Sequence, residues 1–246
     1  MEKVVEICCG SYEDALAAYR GGAKRIELNS ALYLGGLTPS PGTLILTKKH
    51  TDLKVIAMVR PRSAGFCYSD ADFEVMKQDT ELLMKNGADG IAFGCLDQDG
   101  RIHEKQVRQI VEIIDAYEGE SVFHRAFDCA EDQYGAIEQL IAMGICRILT
   151  SGGRARAMDG AERLADLQKQ YGDRIQILAG SGVNAENARE LMEKTGIWQV
   201  HSSCKGWLCD PTTQGPDVSY SYTEHPDRNA YEIVDEALVK RLVDAI

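Results

Sequence analysis

Apolar residues along this chain gather in eight short runs, and each run closes on residues that carry chemistry. They are Val4–Cys9, Arg25–Asn29, Val55–Arg62, Gly90–Leu96, Val122–Asp128, Arg147–Gly153, Gln176–Gly182 and Gln199–Cys204. Short apolar runs bounded by glycine and polar clusters read as strands, whereas apolar positions three and four residues apart read as helices. Helical spacing fills the gaps between the runs. A first helix opens at Ser11, with Asp14 in capping-box position, and stops at Gly21-Gly22. Thr43–His50 makes a short second helix. Phe73–Lys85, Glu104–Tyr117, Gln133–Met143, Gly160–Tyr171 and Ala185–Lys194 follow.

A glycine, one to three residues and an apolar strand recur together in GGAKRIEL, NGADGIAF, MGICRILT, YGDRIQIL and TGIWQV. Such short helix-to-strand joints imply parallel strands linked by helical crossovers. The pattern predicts an α/β fold, a single-domain TIM (β/α)8 barrel over residues 1–246. An open doubly wound sheet would carry G-x-G-x-x-G after its first strand, where this chain reads CCGSYE. In a barrel the strand ends converge on one mouth, so the run ends are a draft of the site. Lys205–Asn229, rich in Pro, Gly, Ser and Tyr, breaks the rhythm as a long loop after strand eight. Loops of that length form lids, binding loops or subunit contacts. Ala230–Ile246 closes the chain as an amphipathic helix.

Composition narrows the function. The 246 residues are 44% hydrophobic and 26% charged, as in an ordinary globular domain. A net charge of −11 without a Lys/Arg block argues against nucleic acid, whose phosphates need a basic face. No apolar stretch approaches the ~18 residues of a membrane span. Met1-Glu2-Lys3-Val4 runs straight into the first strand, so no signal peptide and a cytoplasmic location are expected. Eight scattered cysteines without a CxxC pair are expected to be reduced thiols. Cys67, Cys95, Cys129, Cys204 and Cys209 fall near the rim, most of them expected to act as small hydrophobes.

The strand ends supply the candidate chemistry. Glu6 and Glu27 hold matching places on neighbouring strands, either as an acid–base pair or metal anchor, or neutralised by Arg60 or Arg62. Arg60 and Arg62, two residues apart on one face, suit an anion. His124 and Asp128 share parity, with Asp128 placed to orient the imidazole, while Arg125 has the opposite parity. Thr150, Ser151 and Gly152, with Gly180, Ser181 and Gly182, form small turns that expose backbone N–H groups. His201 and Ser202 add donors from strand eight, where barrels commonly bind phosphate.

These segments resemble the CutC family. The resemblance is carried by EICCGSYEDALAAYRGGAKRIEL, GGLTPSPG, VRPRSAGFCYSD, FHRAFD, RILTSGG and VHSS, in order over nearly the whole chain. It implies a cytoplasmic single-domain barrel, a homo-oligomer (dimer or tetramer), and a role in copper homeostasis. The family's copper proposal places cysteines near the ends of strands one and two. Cys8 matches the first and stands as the metal candidate, but the second position is Asn29, and Cu(I) prefers thiolates to an amide oxygen.

Two functions follow, beside the bland reading of a scaffold whose barrel no longer catalyses anything. One is copper handling, with Cu(I) as the bound ion on Cys8. The other is an isomerase, lyase or hydrolase acting on a small anionic or phosphorylated substrate. There Arg60, Arg62, Arg125 and the glycine turns would hold the anion, while His124, Asp128 or a glutamate would move a proton.

Overall fold

Eight parallel strands close into a ring in the computed structural model, in the order β1 to β8 and back to β1. The structure describes residues 2–222 and 225–246. Met1, and Thr223 and Glu224 of the expected loop, lie outside the described residues. The strands are β1 (Val4–Cys9), β2 (Arg25–Leu28), β3 (Lys54–Met58), β4 (Gly90–Phe93), β5 (Glu120–Phe123), β6 (Arg147–Thr150), β7 (Gln176–Ala179) and β8 (Gln199–Ser202). The crossover helices between them are α1 (Tyr12–Arg20), α2 (Pro41–His50), α3 (Asp70–Lys85), α4 (Glu104–Asp115), α5 (Gln133–Ala142), α6 (Ala161–Tyr171) and α7 (Ala188–Thr195). The architecture is a TIM barrel.

Local chemistry sets the helix starts. The Ser11 side chain accepts the Asp14 N–H, and Ser69 and Asp72 form a complete capping box at the start of α3. That cap begins α3 at Asp70, three residues before the apolar spacing becomes visible. Gly196, in the left-handed region at φ 72°, ends α7.

Residue parity divides the strands. Ile7, Ile26, Val55, Ile91, Phe123, Ile148, Ile177 and Val200 are buried in the main core, against the helices. A separate small core of Ile56, Met58, Ala92 and Val122 fills the barrel on its β3–β5 side. The same parity turns charged residues inward elsewhere. Near the starts of the strands, Arg147 ion-pairs with Glu120 at 2.8 Å, and Glu120 also meets Lys54. Arg147 Nε donates to Gln176 at 3.0 Å, and Gln199 Nε2 reaches the same amide oxygen at 3.2 Å. Arg25 joins this floor to β1 through Glu6 at 2.5 Å and to Gln199 at 2.7 Å.

The tail differs from expectation at two places. Lys205–Cys209 and Ala230–Val234 are not loop and helix but two antiparallel strands, β9 and β10. Antiparallel pairing with Lys205–Cys209 wins over helical spacing in AYEIV. The final helix, α8 (Glu236–Ala245), begins only at Asp235, whose carboxylate accepts from the Ala237 and Leu238 N–H groups. Among the described residues no helix is long and apolar enough to cross a membrane.

Candidate functional site

Glu6 and Glu27 both point into the barrel, but not side by side. The β1–β2 register pairs Glu6 with Arg25 and Cys8 with Glu27. Barrel closure requires such a stagger, so residues in matching sequence places stand at different heights. Glu6 is 2% exposed and belongs to the floor. Its neutralising partner is Arg25, not Arg60 or Arg62. Glu27 stands one layer higher, in the wall of a cavity of about 340 Å3 at the C-terminal mouth.

Cys8, Glu27 and His201 meet in that cavity. One potential ligand atom from each lies within 4.8 Å of the others. Cys8 Sγ is 3.7 Å from Glu27 Oε2, and His201 Nε2 is 3.9 Å from the same oxygen. His201 Nδ1 is held by Glu6 Oε1 at 2.9 Å, which turns Nε2 toward Glu27. Asn29 Nδ2 donates to Glu27 Oε2 at 3.0 Å and to Cys8 Sγ at 3.5 Å. The loop after β2 closes tightly over this amide: a Cβ on Gly36, at φ 84°, would come within 2.4 Å of Asn29 Oδ1.

Burial and charge act differently on each group. Burial pushes the Glu6 carboxyl up, but Arg25 and the His201 hydrogen bond more than reverse it, leaving it lowered to about 2. Burial also raises Glu27, and there His201 only partly offsets it, so the net shift is upward. Burial and the Glu27 charge push the Cys8 thiol well above its ordinary value. Burial alone would lower His201, yet the Glu6 bond and both carboxylates hold it up. The result is an imidazole whose protonated form is favoured by two flanking carboxyls, one held ionised by Arg25 and one that holds its proton more tightly than usual.

The other expected site residues divide. Arg60, His124, Arg125, Ser181, Gly182, His201 and Ser202 line the cavity. Arg60 Nη atoms donate to the Leu34, Gly36 and Ala64 carbonyls, and Ser202 Oγ donates to Val183 O at 2.6 Å. Arg62 leaves it: β3 ends at Met58, Pro61 interrupts the alternation, and Arg62 pairs with Asp72 at 3.0 Å. Asp128 does not orient His124. A 3₁₀ turn over Arg125–Cys129 carries it to the next loop. There it accepts from Thr150 Oγ1 at 2.6 Å, Gly153 N at 3.1 Å and Arg125 Nε at 2.8 Å. Thr150 and Ser151 are therefore ligands of Asp128, and Thr150, Ser151, Gly152 and Gly180 lie outside the cavity lining. His124 Nδ1 instead accepts from Ala126 N at 3.1 Å. The floor residues Arg25, Lys54, Glu120, Arg147, Gln176 and Gln199 are not among those expected from the run ends. Their signal is a polar residue at inward parity on a strand start.

Comparison with known proteins places this geometry in a family. The CutC family matches residues 3–206. The chain belongs to the CutC family. A CutC of Treponema denticola is 44% identical over 230 residues, 93% of each chain. One from Vibrio campbellii is 41% identical, covering 100% of this chain and 97% of that one. The crystal structure of a CutC from Streptococcus agalactiae superposes with TM-score 0.77 at 28% identity, covering 82% of this chain and 98% of that one. Phosphoribosyl anthranilate isomerase from Thermococcus kodakaraensis, at TM-score 0.58 and 15% identity, shares the barrel alone.

Proposed function

We propose that the barrel mouth holds a thiophilic metal ion, copper in the first instance, on Cys8, His201 and Glu27. The observation carrying this reading is the convergence of three donors from three strands within 4.8 Å. Glu6 strengthens it, because a carboxylate on the far nitrogen of a ligating histidine fixes the ring and raises its basicity. The Streptococcus agalactiae relative bears the name of a copper homeostasis protein, which makes copper the ion to test first. One thiol, one imidazole and one carboxylate suit Cu(II) or Zn(II) as well as Cu(I), and the divalent affinity order favours copper. Among the described residues Cys8 is the one thiol lining the cavity, so this donor set is weaker for Cu(I) than a two-cysteine site. Binding would displace the proton that burial keeps on Cys8. Eight free cysteines accord with a reducing cytoplasm.

The test is a chelator-competition titration with Cu(I), Cu(II) and Zn(II). One ion per chain is expected for the native protein, with binding lost in Cys8→Ser and His201→Gln and retained in Arg62→Ala. Unchanged affinity in Cys8→Ser defeats the reading.

A second reading is favoured by the place of His201 between two carboxyls, which favour its protonated form. Without an ion, Nε2 can give a proton to a ligand in the cavity while Glu6 steadies the ring and Glu27 receives a proton. Cys8→Ser leaves that proton transfer intact, whereas His201→Gln removes it.

A further inference from the structure

Away from Cys8, one wall of the cavity carries donors that have no acceptor among the described residues. The chain leaves β7 through Ser181 and Gly182, both left-handed, at φ 82° and 70°. The peptide N–H groups of Ser181, Gly182 and Val183 make no hydrogen bond among the described residues, and all three residues line the cavity. The loop after β6 is tied against them. Ala157 N donates to Ser181 O at 3.0 Å, and Ser181 Oγ donates to Ala155 O at 2.7 Å. The stem of Arg156 lies on Gly182, where an added Cβ would meet Arg156 Cγ at 3.3 Å. Arg154 and Arg156 are exposed.

His124 provides an independent observation. It is 3% exposed, and burial together with the Arg60 charge drives its pKa down to about 3, so the ring is neutral. A neutral ring whose Nδ1 accepts a hydrogen bond carries its proton on Nε2. That buried nitrogen has no partner among the described residues, and His124 lines the cavity. Arg60, which also lines it, is 6% exposed and pairs with no carboxylate among the described residues. Its Nη atoms reach three carbonyls, its Nε has no partner among the described residues, and a cavity beside such a cation favours an anion.

We propose that this wall is a subsite for a small phosphate monoester. The phosphate sits on the N–H groups of Ser181, Gly182 and Val183 under Arg156, and a hydroxyl or carbonyl oxygen of the same molecule accepts from His124 Nε2. Consecutive peptide donors in the same cavity as the Arg60 guanidinium match a multi-oxygen dianion better than a carboxylate. The 340 Å3 volume suits a molecule of a few heavy atoms beyond the phosphate. In a chain of net charge −11, Arg60 supplies the local positive charge in the cavity lining that is not paired with a carboxylate among the described residues. The proposal rests on the cavity and not on the metal, so a failed metal titration leaves it standing.

The experiment is a titration of metal-free protein with inorganic phosphate at constant ionic strength, read by amide NMR. Saturable shifts at Ser181, Gly182 and Val183 are expected, and the exposed pair Arg154→Ala with Arg156→Ala should weaken binding about tenfold while leaving the spectrum folded. Glycerol phosphate should bind more tightly than inorganic phosphate, and His124→Phe should erase that difference alone. Silent amides at 181–183, acetate binding there as tightly as phosphate, or a double variant with native affinity overturns the phosphate subsite. An undiminished preference for glycerol phosphate in His124→Phe overturns the second contact.

Discussion

Glu6 and Glu27 sit at the same place in VEICC and IELNS, on adjacent strands, with side chains on the same face. One has the Arg25 guanidinium at 2.5 Å and the His201 ring at 2.9 Å. The other has an amide at 3.0 Å, a thiol at 3.7 Å and an imidazole at 3.9 Å. Their carboxyl pKa values move in opposite directions although both are buried. Burial alone therefore does not set the direction of the shift; the Arg25 guanidinium beside Glu6, which has no counterpart at Glu27, does. The barrel floor sets its charged side chains against opposite charges and amides, while at the mouth Asn29 Oδ1, Arg60 Nε and His124 Nε2 have no partner among the described residues.

The strongest way to break this contrast is to remove each carboxylate in turn. Glu6→Gln strands Arg25 in the floor and should cost about 3–5 kcal/mol in denaturant unfolding. Glu27→Gln should stay within about 1 kcal/mol of native stability, since it relieves a strained charge, while abolishing metal binding. Equal losses in both variants would erase the distinction.

The pH dependence sharpens it. Glu6 has a folded pKa of about 2 against an ordinary 4.5, so its contribution is present above 4.5 and lost as pH falls toward 2. Glu27, raised on folding, acts with the opposite sign, costing stability above its folded pKa and relieving that cost on acidification. His201 is raised from 6.5, so its contribution is full below 6.5 and fades as pH rises through the folded value. Unfolding midpoints from acid to mildly alkaline pH should show an acid limb that Glu6→Gln flattens and Glu27→Gln does not.

Asn29→Cys restores a second thiol beside Cys8 and should tighten Cu(I) binding at least about tenfold by chelator competition. No gain would mean that Cys8 is not positioned as a ligand. The smallest effect belongs to Arg62→Ala. Its ion pair is with Asp72, the Arg62 side chain is 38% exposed, and removal should cost below about 1 kcal/mol without touching the mouth.

Much of this molecule is legible in its sequence. Run-and-gap periodicity implies the closed barrel, and alternation turns Glu6, Glu27, Cys8 and His201 inward. Alternation does not encode height. The stagger that seats Cys8 beside Glu27 comes from ring closure, which no single strand specifies. Parity also fails where strands end early: Pro61 diverts Arg62, and the turn at Arg125–Cys129 diverts Asp128. The floor is harder to see because Arg25, Glu120 and Arg147 stand at strand starts, away from the run ends where barrel chemistry gathers.

The contrast between the two glutamates is most directly tested by carbon NMR titration of their side-chain carboxyls in metal-free protein. The prediction is that Glu6 titrates near 2 and Glu27 above 4.5. Two carboxyls titrating together, or in the reverse order, would contradict it.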